Sequence, residues 1–194
     1  MIRNWSALLL LLLASASAFA QTPSDEPCKA FLPASLRQVL PKKFPGYRLA
    51  RVSDYSKDDI DQHKKNFKGN ACLGAASVDV DGDGFADFAF LLTDEKDHTM
   101  LAAARNASGK FWQISKLYEF RKEVVGGLYV DPLKSGSYQD LFDMDPAPAD
   151  YTPELGGVRR YKAQHSGFIA GGIESSGVAF FFTGKRWVHL WLSD

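Results

Sequence analysis

Four aspartates, Asp79, Asp81, Asp83 and Asp87, fall within one nine-residue stretch that also holds Gly82 and Gly84. So much carboxylate in one short loop is hard to hold together without a cation. Carboxylates at the first, third, fifth and ninth positions, with the Phe85 carbonyl at the seventh, supply the oxygen-rich shell that Ca²⁺ takes. Gly84, at the sixth, suits the sharp turn that wraps a chain around an ion. Asp-Gly is also a strong hairpin-turn signal, but a bare turn gains nothing from aspartate at alternate positions. The expected cofactor is one structural Ca²⁺, with Asp79, Asp81, Asp83, Phe85 and Asp87 as ligands.

Other reactive residues are sparse. The four histidines include no H-E-x-x-H or H-x₃₋₅-H arrangement of the kind that holds zinc. His165-Ser166 lacks a surrounding G-x-S-x-G, so it reads as a polar pair beside a turn. Asp140, Asp143, Asp145 and Asp150 lie in a Pro-rich stretch and read as solvating charge rather than a paired-carboxylate catalyst. No enzyme is expected. The two cysteines, Cys28 and Cys72, are most simply a disulfide in an oxidising compartment.

That compartment is signalled at the N-terminus, where Arg3 precedes an apolar run from Ala7 to Leu13 and then Ala18-Phe19-Ala20. The pattern predicts a secretory signal peptide over residues 1–20, cut after Ala20, and a periplasmic or secreted location. It leaves one calcium-binding, β-rich domain over 21–194, with no membrane span after cleavage. Lys plus Arg equal Asp plus Glu at 23 each, a balance that argues against nucleic acid as a partner.

The elements that must position these residues divide by period. Leu32, Leu36, Val39 and Leu40 fall at helical spacing, with Pro41 as the expected stop. Ser56 as N-cap, acidic residues in the first turn and Gly69 as terminator predict a second short helix over 57–68. Tyr47 to Val52 predicts a strand. Strands over 71–78, 88–92, 98–105 and 111–118 predict an antiparallel meander, with the acidic loop joining the first two. A second group falls at 127–130, 158–163, 167–173, 178–183 and 187–192, the last two joined by a turn at Thr183–Arg186. Residues 131–157 read as a long irregular loop. The aromatic residues Phe180, Phe181, Phe182, Trp187 and Trp191 crowd the final hairpin, where alternate members must face opposite sides. The expected fold class is mainly β, an α+β arrangement of antiparallel meanders with two short N-terminal helices.

The run from Ser77 to Phe90 resembles the calcium loop and following strand of FG-GAP or VCBS-type repeats, which form propeller blades in secreted and surface proteins. The likeness implies a blade-like meander and the same ligand set; only one such loop is present. Ser176-Gly177-Val178-Ala179-Phe180 is similar to the Ser-Gly-x-x-Tyr loop of periplasmic lysozyme inhibitors, with Phe180 at the tyrosine position. Calcium-binding periplasmic immunity proteins of type IV secretion competition systems combine both features. The resemblance implies a non-enzymatic inhibitor or immunity-type binder of a cell-wall hydrolase or effector, with Ser176, Gly177 and Phe180 at the contact. The competing expectations are a calcium-stabilised adhesion or carbohydrate-binding module, or a structural envelope protein.

Overall fold

Leu32, Leu36 and Leu40 recur every four residues, and all three are buried on one helical stripe. In the computed structural model, which describes residues 27–66, 68, 70–120, 125–143, 156–173 and 175–192, this stripe belongs to helices α1 (Pro27–Phe31) and α2 (Ala34–Lys43) and their junction. The expected signal peptide and Gly69 lie outside the described residues. Pro41 does not end α2 as expected. It removes one N–H, yet the Phe44 N–H still donates to the Leu40 carbonyl at 2.8 Å, so the helix runs on to Lys43.

The strand expected over 47–52 shrinks to β1 (Arg48–Leu49), because a 3₁₀ turn occupies Val52–Asp54. Arg48 fixes that turn by donating to both carboxylate oxygens of Asp54, at 2.7 and 2.9 Å. Helix α3 (Lys57–Asn66) starts where Ser56 predicts it. The Asp59 N–H donates to the Ser56 hydroxyl at 3.2 Å.

Strands β2 (Ala75–Val78), β3 (Asp87–Thr93), β4 (Thr99–Ala107) and β5 (Phe111–Phe120) follow one another as an antiparallel meander. β1 and β2 share one edge of β3 and β4 takes the other, so β3 has neighbours on either side and is buried from end to end. The register slips between Leu101 and Ala102, which face Tyr118 and Lys116, leaving Leu117 as the extra residue of a bulge. A second antiparallel sheet has the order β11 (Trp187–Leu192), β10 (Gly177–Phe182), β9 (Gly167–Gly172), β6 (Leu128–Leu133). Strands β7 (Gly136–Gln139) and β8 (Arg160–Ala163) pair separately. The stretch read as loop over 131–157 thus contains the end of β6 and all of β7. The fold is mainly antiparallel β with a few short helices.

Strand alternation stacks these pieces in layers. Ala89 and Leu91 of β3 meet Leu128 and Val130 of β6, Phe168 and Ala170 of β9, and Val178 and Phe180 of β10, so the two larger sheets share one core. The opposite face of β3, carrying Phe88, Phe90 and Leu92, packs with Cys28, Leu32, Leu36 and Leu40 from the helical side. The opposite face of β10, with Ala179 and Phe181, lies against β7–β8, where Phe181 packs on Tyr138 and Tyr161 at ring distances of 4.9 and 5.3 Å. Phe180 and Phe181, on opposite faces of β10, are therefore both covered, Phe181 by a strand pair. The Cys28–Cys72 disulfide forms as expected and ties α1 to the segment entering β2.

Candidate functional site

Register places the acidic loop. Val78 pairs with Asp87, so residues 79–86 form the connection between β2 and β3. Val80 is fully buried in the core shared by the sheets and anchors the loop from below. Gly82 and Gly84 take φ of +76° and +85°, a left-handed backbone that a side chain would strain. A Cβ on Gly82 would also strike the His165 imidazole from the β8–β9 connection. His165, read as a polar residue beside a turn, thus sits on the acidic loop.

The loop curls around Asp79. Its carboxylate accepts the N–H groups of Gly82 at 2.7 Å and Gly84 at 2.9 Å, with Asp81 at 3.3 Å. Partial burial works to raise its pKa, but these backbone donors outweigh it and hold the carboxyl below its usual value. Asp87 opens β3 and is 1% exposed, accepting the Val80 N–H at 2.9 Å and the Asn106 N–H at 2.7 Å. Burial pushes its pKa up to about 6, despite those two donors, and the Asp81 charge adds to the rise.

Carboxylate oxygens of Asp79, Asp81 and Asp87 all lie within 4.8 Å of one another, close enough to hold a single metal ion. Arg105 of β4 reaches this group, donating through Nε (3.1 Å) and Nη2 to Asp81 Oδ2. One guanidinium against three carboxylates leaves the trio short of positive charge. A hard donor set of this kind suits Ca²⁺ or Mg²⁺ rather than a thiophilic metal.

Asp83, expected as a fourth ligand, stands outside the trio. Its Oδ1 accepts the Phe85 N–H and its Oδ2 the Ser108 N–H, each at 2.9 Å, which turns it toward the β4–β5 connection. The Phe85 ring, 43% exposed, lies over Gly109 in that same connection.

Arg105 was invisible as a partner, although a signal for it exists. In β4 it alternates with Leu101 and Ala103, which are buried, and an inward-facing arginine on a buried strand needs a carboxylate. Asp140 and Asp143 are not solvating charge either. They are 5% and 9% exposed: Asp140 accepts the Trp191 N–H at 3.0 Å, and Asp143 pairs with Arg160 at 2.8 Å. The Asp140 carboxylate joins the end of β7 to β11, and the Asp143 carboxylate ties the segment after β7 to β8.

The Ser-Gly turn lies at the other end of the chain, between β9 and β10. Ser175 is exposed and Ser176 half-buried. Gly177 faces Gly171 across the strand pair, and a Cβ on it would come 2.8 Å from Ile169 and 3.2 Å from the Tyr129 hydroxyl. Only glycine fits there. Phe180, expected at a partner contact, is 1% exposed in the core against Tyr118 and His189. The β10 pleat turns it inward, so it anchors the strand and does not meet a partner directly.

Among the described residues, no helix is long and apolar enough to cross a membrane. No protein-family model matches the chain, and no curated protein and no solved structure matches it significantly.

Proposed function

We propose that the protein is a secreted, non-enzymatic binding protein, stabilised by Ca²⁺, that grips a cell-wall hydrolase through the Ser176 turn. Asp79, Asp81 and Asp87 would hold the ion through their carboxylates, with the Phe85 carbonyl as a further ligand, while Asp83 braces the loop against the Ser108 N–H. Bound there, Ca²⁺ would neutralise the loop and tie β2 to β3. What supports this half is the 4.8 Å clustering of three carboxylates from one loop.

The partner half is carried by the turn. Gly177 has no room for a Cβ between Ile169 and the Tyr129 hydroxyl and pairs with Gly171, so the residue after Ser176 is packed into the strand pair. A turn with one end packed into a strand pair suits insertion into an enzyme cleft, because less ordering entropy is then lost on binding. Phe180, in the core, holds the base of the turn rather than touching the partner.

The test is inhibition of purified cell-wall hydrolases of the lysozyme type by the wild-type protein and by Ser176→Arg. The expected result is inhibition by the wild type and its loss in the variant, with calcium binding unchanged. Failure to retain or inhibit any such hydrolase, or equal inhibition by Ser176→Arg, overturns the partner assignment and leaves the calcium assignment to its own test.

A further inference from the structure

Strand β5 at the margin of one sheet, strand β11 at the margin of the other, and the β10–β11 turn enclose a cleft of about 720 Å³. That volume lies within the usual range for small-molecule sites. Arg105 and Lys116 stand on one wall and Lys185 and Arg186 on the other, and none of the described lining residues is acidic.

Two of these cations are already engaged. Arg105 is committed to Asp81 and lies 3.8 Å above the Phe182 ring, and Lys116 meets Glu119 at 2.7 Å. Lys185 and Arg186 are exposed and have no ion-pair partner among the described residues. Their turn is nonetheless fixed, since the Thr183 hydroxyl accepts the Arg186 N–H at 3.2 Å and donates to the Arg186 carbonyl at 3.0 Å.

Beside them Trp187 is half-buried, with its indole held against Phe182 and Phe168 at ring distances of 5.4 and 6.4 Å. Gln113 and Ser115 add neutral hydrogen-bonding groups to the opposite wall. The margin of β11 is not open to an added peptide strand. His189 N–H already donates to the Gly156 carbonyl at 3.2 Å, and the Val158 N–H to the His189 carbonyl at 2.9 Å. Recognition here must run through side chains: a fixed indole face, two available cations and neutral polar groups.

We propose that this cleft binds an oligosaccharide bearing carboxylate groups. A sugar ring stacks on Trp187, its carboxylate pairs with Arg186 and Lys185, and its hydroxyls reach Gln113 and Ser115. The cleft shares Arg105 with the carboxylate trio, but no member of the trio lines it, and the Ser176 turn lies at the opposite end of β10.

Titration calorimetry with trigalacturonate, neutral maltotriose and hexaglutamate tests it, on the wild type and on Lys185→Glu/Arg186→Glu, whose changes lie on the exposed turn. Saturable binding of trigalacturonate is expected, with maltotriose and hexaglutamate much weaker. The double variant should weaken trigalacturonate by at least roughly tenfold, the scale of one charge-assisted hydrogen bond. No binding of trigalacturonate at millimolar concentration, unchanged affinity in the double variant, or hexaglutamate binding as tightly as the sugar would each overturn the proposal.

Discussion

Replacing both cysteines by alanine tests how the helical layer is held to the sheet. Cys28 and Cys72 are 44 residues apart, and the span between them carries α2, β1 and α3. Closing a loop of that length removes about 4 kcal/mol of conformational freedom from the unfolded chain. The two sulfurs are also packed, with Cys28 1% and Cys72 0% exposed beside Leu36 and Phe90. Deleting them adds a packing loss of about 1 kcal/mol. Cys28→Ala/Cys72→Ala should therefore unfold at lower urea, with a total loss of about 5 kcal/mol. For a chain of this size that corresponds to a fall of roughly 10–20 °C in melting temperature. Wild type measured in excess reductant should move most of the same way, and either single variant nearly as far as the double. Because both cysteines are joined in the disulfide, the native oxidised protein should offer no thiol to an alkylating reagent. A loss below about 1 kcal/mol in the double variant would show that the loop-closure reasoning fails here.

Phe181→Ala removes the ring on which Tyr138 and Tyr161 pack, so it should cost about 3–5 kcal/mol and open β7–β8 to limited proteolysis before the rest of the chain; cleavage elsewhere first would contradict the layering. Asp131 offers a pH test. Burial pushes its pKa up to about 6, and His63 on α3 stands 3.9 Å away with its own pKa lowered by burial. A carboxyl with a raised folded pKa stabilises fully below its unfolded value, and that contribution is lost as pH rises through about 6. Between pH 4 and 7 the wild type should therefore lose up to about 3 kcal/mol relative to Asp131→Asn, read from urea midpoints at each pH. A difference that stays flat with pH would refute the burial of that charge.

Much of the local structure was legible because it depends on neighbours in sequence. The N-cap at Ser56, the acidic loop between two strands and the cysteine pair each follow from residue type and spacing. What depends on layers was not legible. Phe180 and Phe181 are adjacent and equally apolar, and only the stacking of β10 between a sheet and a hairpin shows that both are covered. Asp140 and Asp143 looked like solvated charge because their partners, the Trp191 N–H and Arg160, are 51 and 17 residues away. Asp83 matches the ligand pattern, yet it is drawn off by the Ser108 N–H, 25 residues along, which loop spacing does not reveal.

The calcium site proposed at Asp79, Asp81 and Asp87 holds one ion shared by the three carboxylates. Calcium titration calorimetry on chelator-stripped protein, paired with melting curves in Ca²⁺ and in EDTA, tests it most directly. The wild type should bind about one equivalent and melt higher in Ca²⁺, by about 2.7 kcal/mol of stability at a hundredfold excess over Kd. Asp81→Ala should remove both effects while keeping the same fold in EDTA. Equal melting temperatures with and without Ca²⁺ in the wild type, or full calcium binding by Asp81→Ala, would rule out a shared ion at these carboxylates.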